Sequence, residues 1–148
     1  MTIDIGALKV GDTIPEWSRE GTLHHWNRFA SVNYEFADHH MDDEAGRHEG
    51  FAGAFIMAPF SHAYLHALLR EWMGEQGRII KIDMRLKNPL FRGRTLTSGG
   101  EITELRPEGE ETIVELRIWQ TDDHDNALGV GTATVAVSHT STNVRTGV

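Results

Sequence analysis

The sequence predicts an α+β domain in which an antiparallel sheet curls around one long buried helix. Two features support this: a largely apolar segment at 58–73, and alternation of apolar and polar residues in four later segments between 78 and 138. A helix that is apolar on most of its circumference has to be buried, and strands with one apolar face need a core to cover. The connections between these strands are short, which favours antiparallel neighbours.

The first half of the chain predicts shorter elements before the long helix. We expect an edge strand at 21–23, a short helix at 25–32 and a helical turn at 42–45 whose acidic residues suit a helix amino terminus. The long helix is expected over 58–73. A proline lies in its first turn, where the missing N–H is tolerated, and a glycine follows its last residue.

The second half predicts four strands, at 78–87, 95–105, 112–121 and 128–138. Pro89 ends the first of them, because proline cannot donate to a strand ladder. Gly99 and Gly100 predict a bulge or kink in the second. One domain is expected over 1–148, with a polar, flexible tail at 140–148.

Length, charge and composition exclude several classes of function. The chain has 148 residues, enough for one ordinary domain, and a net charge of −8, which disfavours a nucleic-acid binder. It has no cysteine, which excludes disulfides and thiolate metal sites and fits a reducing compartment. No apolar run reaches the about 18 residues of a membrane span, and no signal peptide is visible. We therefore expect a cytoplasmic protein without membrane or nucleic-acid partners.

Residues 33–43 are rich in acidic and histidine side chains and follow no helical or strand period. An irregular loop can bring Glu35 and His40, five positions apart, onto one point. A carboxylate and an imidazole that share a water can perform general acid–base catalysis. The alternative from the residues alone is a solvated acidic loop that caps a helix.

A glycine-rich segment, 50–59, leads into the long helix. Backbone N–H groups at a helix start lack partners and carry partial positive charge, so they can stabilise an oxyanion. Pro59 has no N–H, which makes the Ala58 N–H the better candidate donor. The alternative is a simple tight loop before a helix.

Basic and aromatic residues suggest where a ligand could bind. The four residues Arg85, Lys87, Arg92 and Arg94 concentrate positive charge in an acidic chain. They suit a phosphate-bearing ligand, or else form a solvated strand face. Phe36 and Phe55 belong to a group of aromatic residues that suggests an apolar pocket.

Metal binding is a further possibility that the histidines leave open. His62 and His66 are one helical turn apart, a spacing that can share a metal, although the intervening glutamate of a zinc-hydrolase motif is absent. We expect them to be hydrogen-bonded residues on the polar stripe of the helix, and we predict no metal site.

The order of these features, over about residues 10–138, resembles the MaoC-like enoyl-CoA hydratases of the hot-dog fold. That family's signature is approximately Asp-x-Asn-Pro-x-His-x-Asp, then Ala, then Gly-Phe, then Ala-His-Gly at the helix start. This chain has Glu in place of the first Asp, Ala-Asp in place of Asn-Pro, and Ile-Met-Ala in place of Ala-His-Gly. The matching positions are Glu35 to Asp42, Ala45, Gly50, Phe51, Ile56 to Ala58, and Arg85, Pro89, Gly93, Thr95 and Leu96 in the strand region.

The resemblance implies hydration of a trans-2-enoyl thioester, such as an acyl-CoA, or the reverse dehydration. It implies that Glu35 and His40 activate one water and that the Ala58 N–H holds the thioester oxygen, with no metal or redox cofactor. The open sheet edge also favours pairing with a second copy or another hot-dog chain. Three alternatives stay open: a non-catalytic subunit that pairs with a catalytic MaoC-like chain, an acyl-CoA thioesterase, and a metal-dependent protein.

Overall fold

A computed structural model describes residues 3–139 of the chain. The tail predicted at 140–148 lies outside the described residues. Within them, no helix combines the length and the apolar composition needed to cross a membrane.

Five antiparallel strands form one sheet in the order β1-β3-β4-β5-β2. The predicted α+β class and all four strands of the second half are confirmed, with ends that differ by up to three residues. Edge strands β1 and β2 each pair with one neighbour, so each leaves one side of its backbone open. The strands are β1 (Thr13–Glu20), β2 (Gly77–Leu86), β3 (Thr95–Glu108), β4 (Glu111–Asp122) and β5 (Ala127–Ser138).

Three α-helices accompany the sheet: α1 (Leu23–Asn33), α2 (Asp43–His48) and α3 (Ala58–Met73). The long helix α3 has the predicted bounds, and Gly74 ends it with a φ of 57° that favours glycine. Helix α3 packs against β1, β2 and β3, so the sheet curves around it.

The core has two parts. One face of α3 buries Leu65, Leu68 and Leu69 against the apolar faces of the central strands, including Val114 and Leu116. A second cluster joins α1 to the start of α3 and to the loop between β2 and β3. Its buried residues include Trp26, Met57, Leu90, Leu96 and Leu128.

The opposite face of α3 is only partly covered within one chain. Phe60, Ala63 and Ala67 are half-buried, and His66 is exposed. The expectation that the whole helix is buried therefore holds for one side only, and the other side is available to a further layer of protein.

The edge strand predicted at 21–23 is wrong. The strand is β1, which ends at Glu20, and Thr22 instead begins helix α1 by accepting a hydrogen bond from the His25 N–H at 3.3 Å. Strand β1 contains Pro15 and is mostly polar, as edge strands often are, so it lacks a clear period-two signal.

The bulge predicted at Gly99 and Gly100 is also misplaced. Near these glycines the register shifts on the facing strand, between Ile14 and Trp17 of β1. A β-carbon at Gly99 would lie 2.7 Å from the Trp119 ring, so the glycine makes room for this side chain.

Candidate active site

A cavity of about 380 Å³ lies beside the amino terminus of α3. It is bordered by the loop after α1, by the glycine-rich segment before α3 and by the end of β2. Glu35, His40 and Ala58 all line it, so the structure brings together the three residues expected to share a site. The remaining lining residues are Phe51, Phe55, Ile56, Ser61, Leu86, Lys87, Asn88, Pro89, Leu90 and Leu128.

His40 is fixed by its backbone and by its ring. It ends a single 3₁₀ turn, Asp38–His40, and is 7% exposed. Its Nδ1 lies 2.8 Å from the Phe55 carbonyl oxygen, which can only accept, so Nδ1 carries the proton. The ring also makes edge contacts with the rings of His39 and Phe55. The neutral tautomer therefore leaves Nε2 with a free lone pair.

The surroundings of the His40 imidazole favour its neutral form. Burial lowers its pKa from the ordinary value of 6.5, and the nearby His39 acts in the same direction. The hydrogen bond to the Phe55 carbonyl and the charges of Glu35 and Glu49 raise the pKa, but they do not overcome desolvation. A neutral, acceptor Nε2 is the form that can bind a water hydrogen.

Glu35 reaches the cavity because of how helix α1 ends. Tyr34 has a φ of 56°, in the left-handed region, and the N–H groups of Tyr34 and Glu35 both donate to the Ala30 carbonyl. This turn directs the chain back toward the 3₁₀ turn that carries His40. Glu35 is half-buried, and within residues 3–139 its carboxylate has no hydrogen bond or ion pair.

The backbone N–H of Ala58 is the free donor at the tip of α3. Ala58 is the first residue of the helix, and the N–H groups of Phe60 and Ser61 both donate to the Met57 carbonyl at 3.0 Å. Pro59 has no N–H. Among the described residues the Ala58 N–H has no acceptor, so a ligand oxygen in the cavity can take this position.

A short backbone frame holds the cavity wall in place. In the segment before α3, the Ile56 N–H donates to the Leu90 carbonyl at 2.9 Å, and the Phe55 N–H donates to the His39 carbonyl at 3.3 Å. Asp43 accepts from the Ala54 N–H at 3.0 Å. One acidic residue of the loop, Asp43, therefore holds the cavity wall in place, whereas Glu35 faces the cavity.

The two aromatic residues predicted to bind the substrate lie in different surroundings. Phe55 lines the cavity, whereas Phe36 is exposed and contacts Tyr34 instead. Phe51, another member of the aromatic group, also lines the cavity, and its ring centroid lies 4.4 Å from that of Phe55.

None of the three arginines lines the cavity. Arg92 forms an ion pair with Asp43, and Arg94 donates to Asp123 at 2.7 Å, while Arg85 is exposed on β2. A role of these three residues in phosphate binding stays a prediction. The cation that borders the cavity is Lys87, the fourth member of the basic group that the sequence singles out.

The two helical histidines lie apart from Glu35 and His40. The ring centroids of His62 and His66 are 6.0 Å apart on the uncovered face of α3. Across residues 3–139, no three His, Asp or Glu side chains are grouped so that they could hold a metal ion.

Comparison with known proteins gives the class of fold. No protein-family model and no curated protein matches the sequence. Solved structures do match: an (R)-hydratase from A. caviae involved in PHA biosynthesis has 21% identity and a TM-score of 0.79, over 87% of this chain and 96% of that one. A MaoC-like dehydratase from Rhodospirillum rubrum has 20% identity and a TM-score of 0.80, over 93% and 97%.

A third match is the ChsH1-ChsH2 complex from Mycobacterium tuberculosis, with 20% identity and a TM-score of 0.77 over 87% of this chain and 98% of that one. These likenesses, with the five-stranded sheet around α3, show that the chain has the hot-dog fold of (R)-hydratases and MaoC-like dehydratases. The predicted fold is confirmed.

Proposed function

We propose that this chain is a MaoC-like hydratase that adds water to a trans-2-enoyl thioester, or removes it in the reverse direction. The observation that supports this most strongly is that Glu35, His40 and the unpaired Ala58 N–H border one cavity. The fold shared with (R)-hydratases and MaoC-like dehydratases is consistent with it, but fold alone does not fix a reaction.

The proposed reaction uses both hydrogens of one water. The His40 Nε2 accepts a hydrogen bond from one O–H and orients the molecule, and the Glu35 carboxylate takes the proton of the other as the oxygen attacks the β-carbon. The protonated Glu35 then delivers that proton to the α-carbon. The product hydroxyl keeps the hydrogen that His40 held. No metal or redox cofactor takes part in these steps.

The Ala58 N–H supports the charge that this attack produces. As the β-carbon gains oxygen, negative charge moves to the thioester oxygen and gives an enolate-like intermediate. A donor at the tip of α3 stabilises this charge, aided by the partial positive charge of the helix terminus. The mostly apolar wall, with Phe55, Leu90 and Leu128, limits competing water.

The direct test is hydration of trans-2-butenoyl-CoA by the purified chain. We expect loss of the ultraviolet absorbance of the conjugated thioester without release of free thiol. Thiol release in the same assay would instead identify a thioesterase. If neither signal appears alone but hydration appears after a second hot-dog chain is added, and if it persists when this chain carries His40→Ala, the chain is a non-catalytic subunit.

We expect Lys87→Ala to raise KM for the CoA thioester by about fivefold and to leave kcat near the wild-type value. Lys87 is exposed where β2 leaves the cavity and has no ion pair within residues 3–139, so its ammonium is free for a ligand phosphate. An exposed charge contact contributes about 1 kcal/mol, which corresponds to that change.

The matched substrate control is the N-acetylcysteamine thioester, which carries the same acyl group without phosphates. Its KM should be unchanged in Lys87→Ala. The matched protein control is Lys81→Ala, because Lys81 is exposed on the same strand and pairs with Asp83 at 3.5 Å. Equal effects on both thioesters would place Lys87 outside phosphate binding.

We also propose that β2 pairs with a second copy of this chain. Related hot-dog proteins assemble, as the ChsH1-ChsH2 complex illustrates. Strand β2 is a sheet edge, carries the exposed Ile80, and ends at Leu86, which is 46% exposed and lines the cavity. A partner on this edge would cover the uncovered face of α3 as well.

Ile80→Lys is expected to shift the protein from dimer to monomer in analytical ultracentrifugation. Ile80 is 47% exposed on this edge, and a buried, unpaired ammonium opposes association. Val10→Lys is the control, since Val10 is 62% exposed in the loop before β1, at the other end of the sheet order. Dissociation by Val10→Lys instead would move the interface to the β1 side.

A further inference from the structure

Three buried polar side chains lie directly behind the first turn of α3. Ser61 belongs to that turn, Ser98 to β3 and Gln120 to β4, and all three are at most 2% exposed. Burial of polar groups in an apolar core is unfavourable unless every group is hydrogen-bonded. These three residues have no acid, base or metal-binding group, so their role follows from what they hold.

Gln120 binds both the side chain and the backbone of Ser61. Its Oε1 accepts from the Ser61 hydroxyl at 2.7 Å, and its Nε2 donates to the Ser61 carbonyl at 2.9 Å. The Nε2 also donates to the Ser98 hydroxyl at 3.1 Å. Because a backbone carbonyl can only accept, this contact fixes which end of the amide is which. Two hydrogen bonds with Gln120 on β4 therefore fix the position of Ser61.

Through the backbone, the position of Ser61 also constrains the Ala58 N–H, the donor that faces the cavity. The Ser61 N–H donates to the Met57 carbonyl at 3.0 Å. That carbonyl and the Ala58 N–H belong to the same peptide group, which is planar and rigid. An atom that fixes the direction of the Met57 carbonyl thereby fixes the direction of the Ala58 N–H, on the opposite edge of the plane.

We propose that Gln120 is a positioning residue for the reaction, which orients the Ala58 N–H through Ser61 and the Met57–Ala58 peptide. This inference rests on the proposed function. An apolar residue of similar volume would fill the same space without the desolvation cost of an amide. The amide supplies direction, and direction matters because a misplacement of about 1 Å at a reacting centre costs about a hundredfold in rate.

The test is Gln120→Met, which keeps an unbranched side chain of similar length and removes all three hydrogen bonds. We expect kcat for trans-2-butenoyl-CoA to fall by between about tenfold and a hundredfold with KM within about twofold. The matched control is Ser98→Ala, which deletes only the bond that does not reach residue 61. It should be destabilised to denaturant but should keep the wild-type kcat.

Gln120→Met leaves buried polar groups of Ser61 and Ser98 without partners, which lowers stability. A second variant avoids this effect. Ser61→Ala, Ser98→Ala and Gln120→Met together replace the whole network by apolar side chains, which can be nearly neutral for folding. This triple variant should fold and should still have the reduced kcat. A wild-type kcat in either folded Gln120 variant overturns the proposal and leaves the proposed function intact.

A readout that does not depend on turnover completes the test. In amide NMR spectra of the wild-type chain and the variants, the Ala58 signal should move in Gln120→Met and stay in place in Ser98→Ala. If the wild-type chain has no hydratase activity, the proposed function fails, and this signal alone decides whether Gln120 orients the Ala58 N–H. An unmoved Ala58 signal in Gln120→Met overturns the proposal.

Discussion

Replacing His40 by alanine is expected to lower kcat for enoyl-thioester hydration by at least about a hundredfold, the usual contribution of a positioned acid–base group. The structure explains why this ring is difficult to replace. Its Nδ1 donates to the Phe55 carbonyl, and burial lowers the pKa of the ring, which favours the neutral form whose Nε2 can accept. Water from bulk solvent cannot reproduce that fixed lone pair.

The measurement is steady-state turnover beside a denaturant titration, because His40 is also a packed residue. Loss of the ring leaves a small cavity, so some loss of unfolding free energy is expected together with the loss of kcat. His40→Gln keeps a polar, hydrogen-bonding side chain and should be nearly as inactive. His24→Ala, at an exposed position on α1, should keep wild-type turnover. An active His40→Ala would remove the imidazole from the mechanism.

The long helix and four strands could be predicted because their signals are local. The apolar segment of α3 ends at Gly74, and the alternation in β2 to β5 reflects which face of each strand packs on the core. Strand β1 could not be found in the same way. Its Pro15 and its charged residues carry little periodicity, and its strand conformation depends on pairing with β3, which is distant in sequence.

That Glu35 and His40 border one cavity could be expected from the sequence because a short loop connects them. Which basic residues are free to bind a ligand could not be predicted in this way. Arg92 and Arg94 resemble free positive charges until the fold brings Asp43 and Asp123 beside them from other parts of the chain. That Lys87 is the member of this basic group that borders the cavity depends on where β2 ends relative to α3. Ion pairs between residues that are distant in the sequence cannot be predicted from local sequence patterns.

Ala58→Pro is expected to reduce kcat by between about a hundredfold and a thousandfold, the range measured for loss of one oxyanion donor. The substitution removes a single N–H that has no protein acceptor within residues 3–139. It should cost little stability, because proline is favoured at the first position of a helix. The preceding Met57 has a φ of −68° and a ψ of 139°, an extended conformation that proline allows.

Two controls separate the lost donor from other effects of the ring. Ala58→Gly keeps the N–H and should retain turnover within about threefold, since a glycine near a helix start affects mainly stability, by about 1 kcal/mol or less. Binding of butanoyl-CoA, a saturated thioester that cannot be hydrated, reports whether the proline ring blocks the cavity. Ala58→Pro with normal binding and normal kcat would exclude the helix tip as the oxyanion site. Normal binding with a low kcat would assign the lost rate to transition-state stabilisation, because the N–H is then the only group that the reaction has lost.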